Sequence, residues 1–177
     1  MRPYGCDAAN AADVASLFEQ VTRDLGAPRL VVHNIDGRVP GILRKGIIEA
    51  DPALALDTLR NAAFSAFQVG QQAARLMQAN MPDANGAKGT GQAKTGVAQG
   101  MARDLMPQGI HVVNVPIDAA VGWRQDDGSR AHRLAGTTTD DNMADPDRIA
   151  EMYLQLHRQH RSTWAFEVVL RPWNEKW

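Results

Sequence analysis

The chain has 177 residues, enough for one domain with a single sizeable core and too few for a second full domain. Lysine and arginine total 19 against 20 aspartate and glutamate, a balance that lacks the basic footprint of a nucleic-acid binder, and no like-charge run is long enough for a membrane-binding patch. The one cysteine, Cys6, excludes an internal disulfide and a CxxC metal site, and it reads as a small buried residue ending a strand. No apolar stretch reaches signal-peptide or bilayer-spanning length, so the expectation is a cytoplasmic protein with neither a membrane nor a nucleic-acid partner.

Over residues 10–25, Val14, Leu17, Phe18, Val21 and Leu25 recur at helical spacing, and Gly26 with Pro28 stops the run. Arg29-Leu30-Val31-Val32-His33 then predicts a short buried strand, closed by the turn Asn34-Ile35-Asp36-Gly37. Asp51 before Pro52 has the chemistry of an N-cap, and it opens the longest predicted helix, residues 52–79, with Leu56, Leu59, Ala63, Phe67, Ala74 and Met77 among its apolar positions. Residues 80–91 are rich in glycine, proline, aspartate and asparagine and are expected to form a loop with no strand in it. Ala93, Val97, Met101 and Leu105 place a helical stripe on residues 92–106, and Ile110-His111-Val112-Val113-Asn114-Val115 is the next buried strand, ahead of Pro116. The polar stretch 123–145 is long enough to serve as a lid or to be mobile. Pro146 opens a helix running through His160, and residues 165–170 supply a last strand. Strands separated by helices imply an α/β domain, one unit over residues 1–177, with a parallel sheet covered on both faces.

In this order the pieces resemble the short-chain dehydrogenase/reductase family. Leu25-Gly26-Ala27-Pro28 through His33-Asn34 looks like the family's Leu-Gly, strand and Asn-Asn-Ala-Gly passage, with Asn34 kept and His33, Ile35 and Asp36 departing from it. Leu59-Arg60-Asn61-Ala62-Ala63-Phe64 sits where the family carries an asparagine that helps hold a proton-relay water near the active lysine, which makes Asn61 its counterpart. Gln92-Ala93-Lys94-Thr95-Gly96-Val97 onward, through Ile110-His111-Val112, is similar to the passage that begins with the catalytic Tyr-x-x-x-Lys, so Lys94 matches the lysine. Pro116 matches the family's Pro-Gly turn beside the nicotinamide, with Ile117 in place of the glycine, and Asp7 looks like the strand-end aspartate near the adenine.

The resemblance implies a Rossmann-like doubly wound parallel sheet and an NAD(P)-dependent oxidoreductase acting on an alcohol or carbonyl substrate. Lys94 and Asn61 would be its catalytic groups, Asn34, Asp7, Pro116 and Lys94 its cofactor contacts, and a homo-oligomer packed through the two central helices its assembly. Either NAD or NADP fits, because the residue that selects between them belongs to the family's second strand. A tyrosine is a useful acid/base only when a nearby cation lowers its pKa, and four residues before Lys94 this chain has Thr90 instead. No serine stands between Ser65 and Ser129, and the glycine-rich first strand-helix unit is not found, so the fold is expected to be truncated. A non-catalytic, oligomerising relative is therefore a second reading, and a module binding a small apolar ligand under the 123–145 stretch a third.

No metal site is expected. His157 and His160 are three apart without a third ligand, and they read as cations at a helix end. Asp140, Asp141 and Asp145 lack the glycine and terminal glutamate of a calcium loop. Trp164, Phe166, Trp173 and Trp177 read as core or subunit-contact residues.

Overall fold

The computed structural model describes residues 2–42, 45–93, 95–132, 135–139 and 142–174; Lys94 lies outside them, as do Asp140 and Asp141. Residues 2–9 contain no strand, and Cys6 is exposed rather than buried at a strand end. Asp7 shapes the approach to the first helix, its carboxylate accepting from Ala9 N at 2.9 Å and its carbonyl from Asn10 N at 2.9 Å. The Asn10 side chain then caps helix α1 (Ala11–Leu25) by accepting from Ala12 and Asp13.

Strand β1 (Leu30–Val32) leads, across the 34–51 connection, to α2 (Pro52–Leu59), whose Asp51 cap accepts from Ala53 and Leu54 as its sequence position suggests. The long helix predicted from Pro52 is continuous but not regular. A single wide turn, Arg60–Phe64, in which Ser65 N bonds back to Arg60 O, separates α2 from α3 (Ser65–Gln78). Strand β2 (Gly89–Gln92) corrects the expectation of a strandless loop at residues 80–91. Helix α4 (Thr95–Leu105) and strand β3 (Ile110–Val113) follow.

Strands β1, β2 and β3 form a parallel sheet in that order, with rows Leu30–Thr90–His111, Val31–Gly91–Val112 and Val32–Gln92–Val113 across it. Residues 165–170 extend the sheet alongside β3: Asn114 N donates to Phe166 O (2.8 Å), Val168 N to Asn114 O (3.1 Å) and Leu170 N to Pro116 O (2.9 Å). Because side chains alternate along a strand, Val31, Ala93, Ile110 and Val112 meet the buried faces of α1, α3 and α4, through Val14, Phe18, Ala66, Ala73, Met77, Ala98 and Leu105. The opposite face carries Val113 and Val115 against Leu156 of α5 (Pro146–His157). The result is an α/β sheet with helices on both faces. Leu30 and Val32, on the α5 side of β1, stay more than one-third exposed.

The glycines of β2 explain its loop-like composition. A Cβ on Gly89 would lie 2.5 Å from Met77 Sδ and 2.7 Å from Met77 Cγ, so the strand passes under α3 only because that position has no side chain. Gly89→Ala is expected to lower stability by about 1–3 kcal/mol, the usual cost of forcing a methyl into a packed core, as a reduced midpoint in urea with unchanged slope.

The polar stretch read as a lid or mobile segment contains an antiparallel meander, β4 (Trp123–Arg124), β5 (Arg130–His132) and β6 (Gly136–Thr138). An ion pair from Arg130 to Asp145 ties it to α5, whose N-terminus Asp145 caps by accepting from Asp147 N. The Arg130 hydrogen bond holds the Asp145 carboxyl below its ordinary range. A depressed carboxylate stabilises the fold above its ordinary range and loses that contribution as pH falls through the folded value. Asp145→Ala should therefore cost about 1–2 kcal/mol near neutrality, the scale of a lost cap, and the difference from the parent should shrink in acid; equal differences at pH 7 and pH 3 would contradict the assignment.

Candidate functional site

One position past the paired strand ends stand His33, Ala93 and Asn114. Adjacent strands lie about 4.8 Å apart, so His33 and Asn114 stand about 10 Å from each other, on either side of Ala93, at the carboxyl edge of the sheet, the place of the ligand crevice in open α/β sheets. All three side chains point to the α3–α4 side, by the same alternation that buries Val31 and Val112.

His33 is buried, and its Nε2 lies 2.9 Å from Ser65 Oγ. Ser65 is fully buried and donates its hydroxyl proton to the carbonyl of Asn61, four residues back. The wide turn makes this possible: it shifts the helical bonding from i−4 to i−5, and Asn61 O is taken up by the side chain. Since the hydroxyl proton goes to Asn61, the imidazole must donate to Ser65, which fixes the Nε2–H form of the ring. His33, Ser65 and Asn61 thus form a chain of hydrogen bonds running from β1 into the wide turn. Gly37 seats that turn, since a Cβ there would lie 2.5 Å from both the backbone nitrogen and the Cβ of Ala62.

On the other wall, buried Asn114 donates to Thr95 Oγ1 (3.1 Å) at the start of α4 and to Glu167 Oε2 (2.6 Å). Between the walls, β2 ends at Gln92 and α4 begins at Thr95, so only Ala93 and Lys94 connect them. Thr90 therefore lies in β2 and not one helical turn before Lys94, and its hydroxyl faces the opposite side, 3.0 Å from His157 Nδ1. His157 stands in the last turn of α5. Its partner His160 instead caps the turn Arg161–Thr163.

The sequence-predicted residues are thus divided. Asn61 enters the hydrogen-bonded chain, Asn34 follows His33 on the exposed end of β1, and Pro116 lies on the ladder between β3 and residues 165–170. Asp7 belongs to the turn ahead of α1. His33, Ser65 and Asn114 were not singled out from sequence. Only Ser65 left a signal there, a serine four residues after an asparagine inside a helical run, the spacing at which a hydroxyl reaches a backbone carbonyl. Neither tyrosine serves the crevice: Tyr4 donates to Asp24 Oδ2 (3.0 Å), and Tyr153 lies on α5 with its hydroxyl buried and unpartnered among the described residues.

A pyrophosphate needs free backbone N–H groups at a helix start; at α1, α2 and α5 the Asn10, Asp51 and Asp145 side chains accept from first-turn N–H groups. Among the described residues no group of three or more His, Cys, Asp or Glu is placed to hold a metal, and no helix is long and apolar enough to cross a membrane.

No family model matches the sequence, and no curated protein matches it significantly. Solved structures match the fold. A short-chain dehydrogenase from Rhodopseudomonas palustris superposes with a TM-score of 0.66 at 24% identity, covering 96% of this chain and 74% of that one. An alcohol dehydrogenase from the archaeon Thermococcus sibiricus, complexed with 5-hydroxy-NADP, gives 0.69 at 13% identity over 98% and 75%. A metagenomic short-chain oxidoreductase in complex with NADP gives 0.66 at 16% identity over 98% and 75%. The chain thus has a short-chain dehydrogenase/reductase fold, spanning about three quarters of those structures.

Proposed function

We propose that this chain is an oxidoreductase of the NAD(P)-dependent type, acting on a small alcohol or carbonyl compound in the crevice between His33 and Asn114. The observation that carries the reading is the wide helical turn around Asn61, set at the carboxyl edge of a parallel sheet in a fold shared with NADP-bound oxidoreductases. Bound there, a nicotinamide would supply or accept hydride. The chain's own contribution is proton handling. Imidazole is the side chain whose ordinary titration falls nearest neutrality, and the His33–Ser65–Asn61 chain holds one ring in a fixed tautomer at the place where the family resemblance puts a relay. Lys94, on the two-residue link into α4, is proposed as the cation of the site by the same resemblance.

With first-turn N–H groups of α1, α2 and α5 engaged by side-chain caps, reduced nicotinamide mononucleotide should bind within about threefold of NADH and NADPH, a difference below 1 kcal/mol. Fluorescence titration of the three reads this directly. Dinucleotide binding more than about thirtyfold tighter, worth about 2 kcal/mol, would contradict this and point to a pyrophosphate cradle.

A second reading, a non-catalytic relative acting through self-association, is favoured by the direct passage from β2 into α4 and by the apolar face of α2–α3. Leu56, Leu59, Phe64 and Phe67 are each about half exposed, and with Val97 of α4 they line a groove of roughly 440 Å³. Homo-oligomers through this face belong to both readings. Binding of none of the three nucleotides, in a chain that associates, would favour the second.

A further inference from the structure

His111 sits in the middle of β3 on the α5 side and is wholly buried. Its Nδ1 lies 3.2 Å from the carbonyl oxygen of Leu156 and its Nε2 2.8 Å from that of Ala165. The ring is parallel to the Trp164 indole, with centroids 4.8 Å apart and planes at 2°. Both polar partners are carbonyls and only accept. A neutral imidazole has one N–H and one lone pair, so it can satisfy one of them. The shorter contact takes the proton, which leaves the Nδ1 lone pair facing Leu156 O. Only the imidazolium donates to both, with the indole face beneath its charge, yet burial denies that cation water. Burial accordingly holds the ring's pKa below its ordinary value, against the pull of the Ala165 and Leu156 carbonyls, and neighbouring His157 lowers it further.

This ring joins three elements: β3, the last turn of α5, and the segment that follows α5. Trp164 Nε1 donates to Gln159 O (3.1 Å) and Ala165 N to Gln159 Oε1 (2.8 Å), after which the segment pairs with β3 and carries Glu167 to Asn114 in the crevice. We propose that residues 164–170 form an acid-releasable strap, whose departure lets a protonated His111 reach water and frees Asn114 from Glu167.

The titratable groups facing the ring's surroundings are His157 of α5, hydrogen-bonded to Thr90, and Tyr153 of the same helix, packed beside Val113. β2 and residues 164–166 carry none, and the strap's own Glu167 accepts from Asn114, whose side chain lies on the other face of β3 from His111. The sign follows from a lowered folded pKa: the released state binds the proton more readily, so attachment is complete above the ordinary imidazole range and weakens as pH falls through it toward the folded value. Phenol titration belongs to the alkaline side and gives no acid response.

Hydrogen exchange on the full chain, corrected for intrinsic rates, tests the strap between about pH 7.5 and pH 5, the span of imidazole titration. Protection over residues 164–170 should fall about tenfold, as uptake of one proton over one pH unit gives, while α1 and α3 keep theirs. The His111→Gln strap should not respond to pH, and His157→Gln should keep the parent response. Unresponsive parent protein, an unchanged response in His111→Gln, or a response abolished by His157→Gln would each overturn the proposal. Should His111→Gln fail to fold, the imidazole NMR shifts of the parent decide: a ring that stays neutral while the strap releases overturns it, and a ring that protonates over the same pH span supports it.

Discussion

Gly37→Val should unfold this protein or cost it about 3 kcal/mol or more, a large share of the roughly 5–15 kcal/mol that holds a domain together. Most overpacking substitutions are softened because a flexible side chain yields. Here the obstructing atoms are the nitrogen, Cα and Cβ of Ala62, at 2.5, 2.7 and 2.5 Å from the added Cβ. They belong to the wide turn Arg60–Phe64, which α2 and α3 hold from both ends. The turn can give way only by rearranging the Asn61 carbonyl, and with it the hydrogen-bonded chain to His33. At about 2–4 °C per kcal/mol for a chain of this size, a thermal melt should show a drop of roughly 6 °C or more. A Gly37→Val protein melting within about 2 °C of the parent would contradict the close approach.

Ser65→Ala is the second large effect, and it acts through chemistry more than volume. The deletion removes one oxygen from a fully buried position and leaves two groups behind, the Nε2–H of His33 and the carbonyl of Asn61. Leaving buried polar groups without partners costs about 1–3 kcal/mol each, so a loss of about 2–4 kcal/mol is expected in chemical denaturation. Ser65→Thr keeps the hydroxyl and should recover part of it. Equal losses for alanine and threonine would mean that volume, and not the hydrogen-bonded chain, sets the cost.

The sequence carried the helices and β3 well, because their apolar residues follow the pattern that burial demands; β1 was placed correctly, but Leu30 and Val32 are exposed where a buried strand was expected. Strand β2 reads Gly-Thr-Gly-Gln, with loop chemistry, because the close passage of Met77 removes the side chain at Gly89. The meander from Trp123 to Thr138 is short and exposed on both flanks, so no buried face imprints an alternation on it. Cys6 reads as a small buried residue ending a strand, where the chain instead leaves it exposed and spends its polar groups on the turn into α1.

The site was legible in the same uneven way. Asn61 enters the hydrogen-bonded chain only through its backbone carbonyl, and the serine that engages it is four residues on, a spacing any helix makes meaningful. His33 and Asn114 could not be found by pattern, because their meaning comes from pairing. They stand at one level of the sheet only through the registers Val32–Gln92 and Gln92–Val113, which link residues far apart in the chain. Thr90 shows the converse error: four positions before a lysine suggests a helical partner, and the strand turns that hydroxyl to the other face.

Proton handling by the His33–Ser65–Asn61 chain is tested by the steady-state reduction of small aldehydes and ketones by reduced nicotinamide nucleotide, compared between the parent chain and Ser65→Thr and Ser65→Ala. A positioned proton carrier is worth about 10²–10⁴ in rate. Nucleotide-dependent turnover should fall about a hundredfold or more in Ser65→Ala, recover in part in Ser65→Thr, and leave nucleotide affinity unchanged. Turnover in Ser65→Ala equal to the parent's, or a parent chain that binds nucleotide and reduces none of the substrates, would contradict it.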